Sequence, residues 1–538
     1  MIHTSRWLFA GFFLGLLVAC NPQVPQEDRG PAPRFDRVPN SACPFFPGTT
    51  APQNVECGYV VVKENRNKPD GRNIKLAVAL IHKTPGQKTA TATINLEGGP
   101  GGTSAWRAPI LATTKNKFSQ DWLATGDVIV YDQRGVGKSL PSLSCPYPQT
   151  EAQCFQNVSR VADPGQYTTR NSAADIADIA SVLGYSKLKV YGSSYGTQLA
   201  QRLMRDHPEK IDSVVLDGVV DPEQPFVIDG PGRFSEAFLN LNADCQQDNA
   251  CKTAYGNLLD TLKAVLQDQD THKIMVTLLD DQMRPVYDQG QLVQFQMTSS
   301  MFLGVLRQIT YSERFVPQIP ALLQQAQKRQ YSRWSQLVYL LYVLEEEDDF
   351  SEAVYNSVLC SDIVPFTSLQ AAQEKEKQLV EPFKSHYQGY NQYAFNICAK
   401  WPVPASDAQA AQRTPSALPT LLLSGRFDPI TPESQALGVA QALSNKRLVY
   451  VRDGAHGVVY PAWNTSKKSY DSSCGTQIMR DFLLNPQQNL ARPCTETPVV
   501  FVLPGQVQKQ GLQQGLIEAL KDLPLLPPLE PLPHLPFR

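Results

Sequence analysis

The decapeptide GSSYGTQLAQ has the spacing Gly-x-Ser-x-Gly around Ser194. A serine hydroxyl can act as a nucleophile when a sharp turn exposes it and a base removes its proton. Gly192 and Gly196 fit such a turn because they bring no side chain into it. The apolar segment KLKVYG before the motif and TQLAQRLMRDH after it predict a strand, a tight turn and a helix. Ser194 is therefore the candidate nucleophile, and the alternative is an ordinary Gly/Ser turn.

The candidate base is His456, which stands in RDGAHGVV directly after the strand-like segment KRLVYV. A loop after a late strand of a parallel sheet reaches the same edge as Ser194. The other histidines lie in the leader, an early hairpin, a helix end, the helical block or the tail. The predicted elements do not place a histidine from those positions next to Ser194.

The third member of such a site is an acid that stands between the serine and the histidine in the chain. Asp428 in LLLSGRFDPITP follows the strand that precedes the histidine strand, and it is the candidate. Asp453, next to the histidine strand, is the alternative acid. An Asp in a Pro-rich turn can also have a purely structural role.

Attack on a carbonyl also requires backbone N–H groups that stabilise the developing oxyanion. One is expected from Tyr195, the residue after the candidate nucleophile. The second is expected from the EGGPGG loop after the strand TATINLE, with Gly99 as the donor and Gly98 or Gly101 as alternatives. Such a loop is otherwise typical of a simple Gly/Pro turn.

The elements that would position these residues alternate between strand and helix. The strands DVIVYD, KLKVYG and IDSVVLDGV are short and apolar without polar alternation, and SAADIADIASVLGY has helical periodicity. This pattern predicts an α/β fold, a mainly parallel sheet flanked by helices. From about residue 224 to about 410 the pattern is helical, and strands return with LPTLLLSG. The sheet is therefore expected to carry an inserted helical cap.

The composition and the leader indicate an exported globular protein. Of the 538 residues, 49 are basic and 51 acidic, so no basic excess is present to bind nucleic acid. The leader MIHTSRWLFAGFFLGLLVAC resembles a bacterial lipobox, which predicts lipidation at Cys20. Asn21 after it points to the outer membrane, facing the periplasm, with the lipid as the only membrane contact. An ordinary cleaved signal or an uncleaved anchor is the alternative.

The cysteines support export. The chain has 11, and without Cys20 the rest fall into near-neighbour pairs that an oxidising periplasm would join. Free buried cysteines or another pairing are the alternatives. No CxxC motif or Cys/His cluster has zinc spacing, so neither a metal nor another cofactor is expected. The expected disulfides are Cys43–Cys57, Cys145–Cys154, Cys245–Cys251, Cys360–Cys398 and Cys474–Cys494.

Five motifs in order, GGPGG, YDQRGVGKS, GSSYGTQLAQ, LLLSGRFDPITP and GAHGVV, resemble those of the α/β-hydrolase family. They are similar in particular to the branch that contains proline iminopeptidases and secreted tripeptidyl aminopeptidases. VLCSD and CAKWP add to this resemblance where the cap returns to the core. The resemblance spans roughly residues 43–503. It implies the α/β-hydrolase fold and a catalytic triad of Ser194, Asp428 and His456.

The resemblance also implies a structural role for Asp132 and Arg134, which anchor turns in the DQRG loop. Proline iminopeptidases commonly have histidine before the GGPG run, and this chain has Glu97, which argues against strict proline specificity. The predicted organisation is a signal peptide and lipobox at 1–20, a flexible tether at 21–42, core at 43–223, helical cap at 224–410, core again at 411–503 and a Pro-rich tail at 504–538.

The implied function is a serine exopeptidase that releases residues or short units from the N-terminus of peptides. A carboxylesterase or lipase on the same fold is the alternative, and a non-catalytic binding lipoprotein is a third hypothesis. An exopeptidase must bind the substrate's α-ammonium group, and a partly buried carboxylate can do so. Glu97 is one candidate, with a backbone-binding role as its alternative. The other candidate carboxylates lie in the run EEEDD and are Glu345, Glu346 and Glu347. The alternative interpretation of this run is a solvated helix end.

Overall fold

The computed structural model describes residues 28–145, 149–225, 228–342, 350–464 and 469–504. The predicted lipidation site Cys20, the candidates Glu345, Glu346 and Glu347, and the tail from residue 505 onward lie outside the described residues. Among the helices that are described, none combines the length and the apolar character needed to cross a membrane.

The strands are β1 (Arg34–Val38), β2 (Val55–Lys63), β3 (Asn73–Ile81), β4 (Ala92–Leu96), β5 (Asp127–Tyr131), β6 (Leu188–Ser193), β7 (Ile211–Asp217), β8 (Met275–Thr277), β9 (Tyr287–Asp288), β10 (Gln291–Leu292), β11 (Gln294–Gln296), β12 (Thr420–Gly425), β13 (Lys446–Val451), β14 (Pro461–Asn464) and β15 (Ser469–Ser472).

The helices are α1 (Arg107–Ala112), α2 (Lys117–Ala124), α3 (Glu151–Val158), α4 (Thr169–Val182), α5 (Tyr195–Asp206), α6 (Gly230–Gln247), α7 (Asn249–Tyr255), α8 (Leu258–Thr271), α9 (Ser299–Thr310), α10 (Ile319–Gln327), α11 (Ser332–Tyr342), α12 (Glu352–Val358), α13 (Leu369–Glu376), α14 (Phe383–His386), α15 (Gln392–Lys400), α16 (Glu433–Ala440) and α17 (Cys474–Leu484).

Nine strands form the central sheet in the order β1-β2-β3-β5-β4-β6-β7-β12-β13. The pairs β1–β2, β2–β3 and β3–β5 are antiparallel, and the predicted early hairpin is β2–β3. Every pair from β5 to β13 is parallel. All residues of β4, β5 and β12 are buried, because helices cover both faces of the sheet, which explains their unbroken apolar sequences.

Strand β1 corrects the predicted tether. Arg34–Val38 pairs along its whole length with β2, and Phe35 packs against the core. Arg34 forms ion pairs with Asp28 and Asp36 on the same segment. The segment RFDRV is short and polar, so its strand character depends on the partner strand β2 rather than on its own pattern. The tether prediction is wrong for these residues.

The segment between β7 and β12 is mainly helical, with α6 to α15 and two small sheets, β8–β11 and β9–β10. The four short strands were not predicted. This cap has its own hydrophobic core, with the fully buried side chains Phe234, Phe302 and Trp334 at its centre. Phe427 and Ala455, which precede Asp428 and His456 in the chain, belong to the same cluster. The cap therefore packs directly on the loops that carry the candidate acid and base.

The structure contains five disulfides, and they are the five near-neighbour pairs expected from the sequence. Cys360–Cys398 has the longest separation, 38 residues, and joins the end of α12 to α15 where the chain leaves the cap. Cys474–Cys494 joins the start of α17 to the C-terminal segment. Such cross-links restrict the unfolded chain and persist only in an oxidising compartment.

Candidate active site

Ser194 occupies the sharp turn between β6 and α5. Its φ of 54° and ψ of −125° lie in a region that non-glycine residues rarely adopt. A Cβ on Gly192 would stand 2.4 Å from the carbonyl oxygen of Gly196, so the turn closes too tightly for a side chain there. The Ser194 N–H donates to the carbonyl oxygen of Asp217 at 2.9 Å. The observed geometry is the strand–turn–helix that the sequence predicts for a nucleophile.

His456 and Asp428 are in direct contact. The His456 Nδ1 lies 2.9 Å from both carboxylate oxygens of Asp428, and the Asp428 side chain is fully buried. Burial raises the pKa of Asp428, but the charge of His456 and hydrogen bonds from His456 and Thr431 outweigh burial and hold that pKa below its usual value. An ionised carboxylate can only accept, so Nδ1 carries the proton and Nε2 keeps the lone pair that a general base needs.

Asp217 at the end of β7 connects the serine turn to the histidine loop. Its carbonyl oxygen accepts from Ser194, and its carboxylate accepts the N–H groups of Val458 and Val459 at 2.9 Å each. A Cβ on the next residue, Gly218, would lie 3.3 Å from the His456 Cε1. The sequence analysis missed Asp217, although a carboxylate that ends the buried strand IDSVVLD was a usable signal.

The GGPGG loop lies against the serine. A Cβ on Gly98 would stand 2.9 Å from the Ser194 Cβ and 3.4 Å from its Oγ. The Gly98 N–H donates to the Glu97 Oε1 at 3.3 Å. Within the described part of the chain, neither the Gly99 N–H nor the Tyr195 N–H donates to a protein acceptor. Both remain available to a ligand, which supports Gly99 over Gly98 as the expected oxyanion donor.

We expect Gly98→Ala to lower kcat by at least about 10²-fold, the typical cost of a misplaced oxyanion donor. The new methyl group meets the Ser194 Cβ and the Ser193 carbonyl oxygen, neither of which can rotate away. Steady-state kinetics with a chromogenic amide measure the loss. Gly102→Ala is the comparison, because the closest atom to its Cβ would be the Gly98 carbonyl oxygen, at 3.2 Å. A Gly98→Ala enzyme with unchanged kcat would contradict the placement of this loop at the reaction centre.

The Glu97 carboxylate is surrounded by donor groups of the protein itself. Its carboxylate is buried and lies 3.6 Å from the Arg107 Nε, 3.4 Å from the Ser193 Oγ and 3.3 Å from the Gly98 N–H nitrogen. Its charge is therefore compensated by Arg107 and shared among neighbouring donors. These contacts match the backbone-binding alternative for Glu97 and leave it poorly placed as an amine receptor.

The DQRG loop is anchored by buried polar contacts. Asp132 accepts from the Thr103 Oγ1 at 2.9 Å and from the backbone N–H of Ser104 at 2.7 Å. Arg134 forms a two-point ion pair with Asp175, at 2.6 and 2.7 Å. Both residues hold turns in place through these contacts.

The cap contacts the site around Tyr311 and around Phe350 and Ser351. The ring of Tyr311, just after α9, lies 4.8 Å from the His456 ring, edge to face, and its carbonyl oxygen accepts the His456 N–H at 3.1 Å. The Ser351 N–H donates to the carbonyl oxygen of Gly101 at 2.9 Å, and Phe350 lies over Gly99. The cap thus covers both the base and the oxyanion loop. The sequence analysis missed these residues, because no local motif surrounds them.

Over the ranges that the structure describes, no group of three or more His, Cys, Asp or Glu side chains is arranged to hold a metal ion. The chemistry that this arrangement can perform is nucleophilic substitution at a carbonyl. A serine, a histidine oriented by a buried carboxylate and two unused backbone donors are the parts that acyl transfer requires.

Comparisons with known proteins bear on the fold and on the class of enzyme. The family described as alpha/beta hydrolase fold matches residues 94–252, and the family described as TAP-like protein matches residues 382–494. Serine protease Hip1 of Mycobacterium tuberculosis is 26% identical over 462 residues, covering 77% of this chain and 84% of that protein. The tripeptidyl aminopeptidase of Streptomyces coelicolor is 26% identical over 470 residues, covering 81% and 84%.

Carboxylesterase B of Mycobacterium tuberculosis is 26% identical over 451 residues, covering 75% of this chain and 81% of that protein. Among solved structures, the proline iminopeptidase of Mycobacterium smegmatis aligns at 15% identity, covering 80% of this chain and 98% of that one, with a TM-score of 0.35. The family matches and the mainly parallel sheet confirm the predicted fold class. The chain has the α/β-hydrolase fold, and it is similar to the relatives named serine protease Hip1 and tripeptidyl aminopeptidase.

Proposed function

We propose that this protein is a serine exopeptidase that removes residues or short units from the free N-terminus of peptides. The observation that carries the proposal is the contact of the His456 Nδ1 with the buried Asp428, at 2.9 Å, on the loops next to the Ser194 turn. The relatives named serine protease and tripeptidyl aminopeptidase support a peptide as the substrate.

In the proposed mechanism Ser194 attacks the scissile carbonyl while the His456 Nε2 takes its proton. The oxyanion forms against the N–H groups of Gly99 and Tyr195. The His456 imidazolium, stabilised by Asp428, then protonates the leaving amine, and an acyl-enzyme remains on the serine. Water, deprotonated by the same histidine, hydrolyses that ester in the second half of the cycle.

The cap supports an exopeptidase over an endopeptidase. It contacts both His456 and the loop of Gly99 and Gly101, so it roofs the site and limits the length of chain that can pass. A carboxylesterase is the second candidate, because the core chemistry is the same and one relative is named carboxylesterase. The two candidates differ in whether a free α-amine on the substrate is required.

We expect free-amine peptide anilides to be cleaved at least about 10²-fold faster, in kcat/KM, than their N-acetylated counterparts. Acetylation removes the ammonium charge, and a desolvated ion pair to it is worth several kcal/mol. The substrates to be compared are tripeptide and single-residue anilides, each in a free and an acetylated form. Simple chromogenic esters complete the set. If acetylated substrates turn over as fast as free ones, the exopeptidase proposal fails and the esterase takes its place.

We also propose that the mature protein is a lipoprotein of the outer membrane, anchored through Cys20 and facing the periplasm. The lipobox-like LVAC before Asn21 supports the anchor. The five disulfides support an oxidising compartment outside the cytoplasm.

A further inference from the structure

Arg307 on α9 is a buried cation that has no counter-ion among the described residues. Its side chain is 6% exposed, and its Nη1 donates to the Tyr390 hydroxyl at 3.0 Å. Its Nε is buried and has no hydrogen-bond partner, and no carboxylate among the described residues forms an ion pair with it. Burial of an unpaired charge is unfavourable, so we expect such a group to bind a ligand.

Three other strongly buried arginines of the described chain have a carboxylate nearby. Arg134 pairs with Asp175, and Arg202 pairs with Asp407 at 2.8 Å. Even the loosely held Arg107 has the Glu97 carboxylate at 3.6 Å. Among the described residues, Arg307 lacks such a partner, and so does the buried Arg233.

The surroundings of Arg307 favour an anion. Its Nη2 lies 3.4 Å from the position of a Cβ on Gly230, the first residue of the 18-residue helix α6, whose N-terminus carries a partial positive charge. Arg233, one turn further along α6, is also buried, and its Nε has no partner. Burial lowers the pKa of Arg233 to about 10; the charges of Asp229, Asp428 and Asp221 oppose this shift, and the charge of Arg307 adds to it.

This cationic group lies beside the candidate triad. Tyr311 follows Arg307 by one helical turn, so the two share a face, and the Tyr311 ring contacts the His456 ring. The Tyr311 hydroxyl is buried without a partner, which adds a second unused donor. On the other side, the Arg233 Nη1 donates to the carbonyl oxygen of Ile430, whose N–H donates to Asp428.

We propose that Arg307 binds a carboxylate of the substrate, so that the enzyme prefers peptides that carry an acidic group near the scissile bond. This inference rests on the proposed function and names its substrate class. The guanidinium supplies the charge and up to two N–H donors, and the Tyr390 hydroxyl holds it in place. The carboxylate can come from an acidic side chain in the acyl part or from the free C-terminus of a short leaving part.

Two substrate pairs distinguish these sources. The first pair is free-amine tripeptide anilides with Glu or Gln at one position, which are isosteric and differ in charge. The second pair is short peptides with a free C-terminal carboxylate or a C-terminal amide, followed by mass spectrometry. For one pair we expect the acidic member to have a kcat/KM about tenfold or more above the neutral member.

In Arg307→Gln this ratio is expected to fall to about 1. Arg284→Gln is the matched control, because Arg284 is an exposed cap arginine paired with Asp280, and it should leave the ratio unchanged. Tyr390→Phe keeps the charge but removes its hydroxyl partner, and it should lower the ratio partially. Fluorophosphonate labelling and Tm show whether each variant folds.

The parent enzyme alone can overturn the proposal, so the test does not depend on a folded Arg307 variant. If neither pair shows a preference for the acidic member, Arg307 does not bind a substrate carboxylate. A ratio that Arg307→Gln leaves unchanged overturns it equally. Acetylated forms of the same anilides separate the two proposals. Equal turnover of acetylated and free forms would overturn the exopeptidase proposal. The ratio of kcat/KM for acidic and neutral substrates would still test the role of Arg307.

Discussion

Ser194→Ala is expected to lower kcat by about 10⁴- to 10⁶-fold and to abolish labelling by a fluorophosphonate probe. The reason is that no other hydroxyl stands at the turn with φ of 54° between β6 and α5. Alanine keeps the Cβ of serine, so the backbone strain at this position is unchanged and Tm should stay close to that of the parent. Active-site titration and steady-state kinetics with a free-amine anilide measure both effects.

The control for this variant is the neighbouring serine. The Ser193 Oγ has the Glu97 carboxylate as its described partner, at 3.4 Å, and Ser193→Ala should keep both labelling and most of the activity. Persistent labelling in Ser194→Ala would remove Ser194 from the mechanism. An equal loss in Ser193→Ala would assign the effect to the turn as a whole.

Asp428→Asn is expected to lower kcat by about 10⁴-fold. The carboxylate accepts the Nδ1 proton of His456, whereas an amide can present its NH₂ group to Nδ1 and stabilise the opposite tautomer. In that tautomer Nε2 carries the proton and cannot accept one from the serine. The backbone N–H groups of Ile430 and Thr431, which donate to the Asp428 Oδ1, should hold the amide in the same position, so Tm tests whether the loop is intact.

Asp453→Asn is the matched control for the acid. Asp453 is the alternative that the sequence leaves open, and burial raises its pKa. In the described structure it makes no hydrogen bond to His456, so its amide variant should keep kcat within about threefold. A loss at Asp453 as large as that at Asp428 would show that the wrong acid has been assigned.

The local parts of this protein could be predicted from its sequence. The strands β4, β5 and β12 are buried throughout and read as unbroken apolar segments, and the turn at Ser194 lies between two glycines within one short motif. The disulfides join cysteines 6 to 38 residues apart, so spacing alone suggested the pairs. The family matches confirm the fold that these patterns and the motif order indicate.

The contacts between distant segments required the tertiary structure. Strand β1 is a strand only because β2 pairs with it, and its own sequence looks like a linker. Glu97 looks like a free carboxylate until Arg107 is seen beside it, and Asp217 looks like a strand end until its contacts with Val458 and Val459 are seen.

Arg307 shows most clearly the difference between what the sequence predicts and what only the tertiary structure shows. Its sequence neighbourhood, MFLGVLRQI, predicts a helix. The packed cap buries this arginine near the candidate triad, and no carboxylate among the described residues forms an ion pair with it. Periodicity predicts which face of a helix or strand is apolar, and spacing gives which residues are close in sequence. The neighbours of a charge across the core depend on how the elements pack. The sequence therefore determined the fold and the candidate triad. Only the tertiary structure decided which charges around the triad are paired.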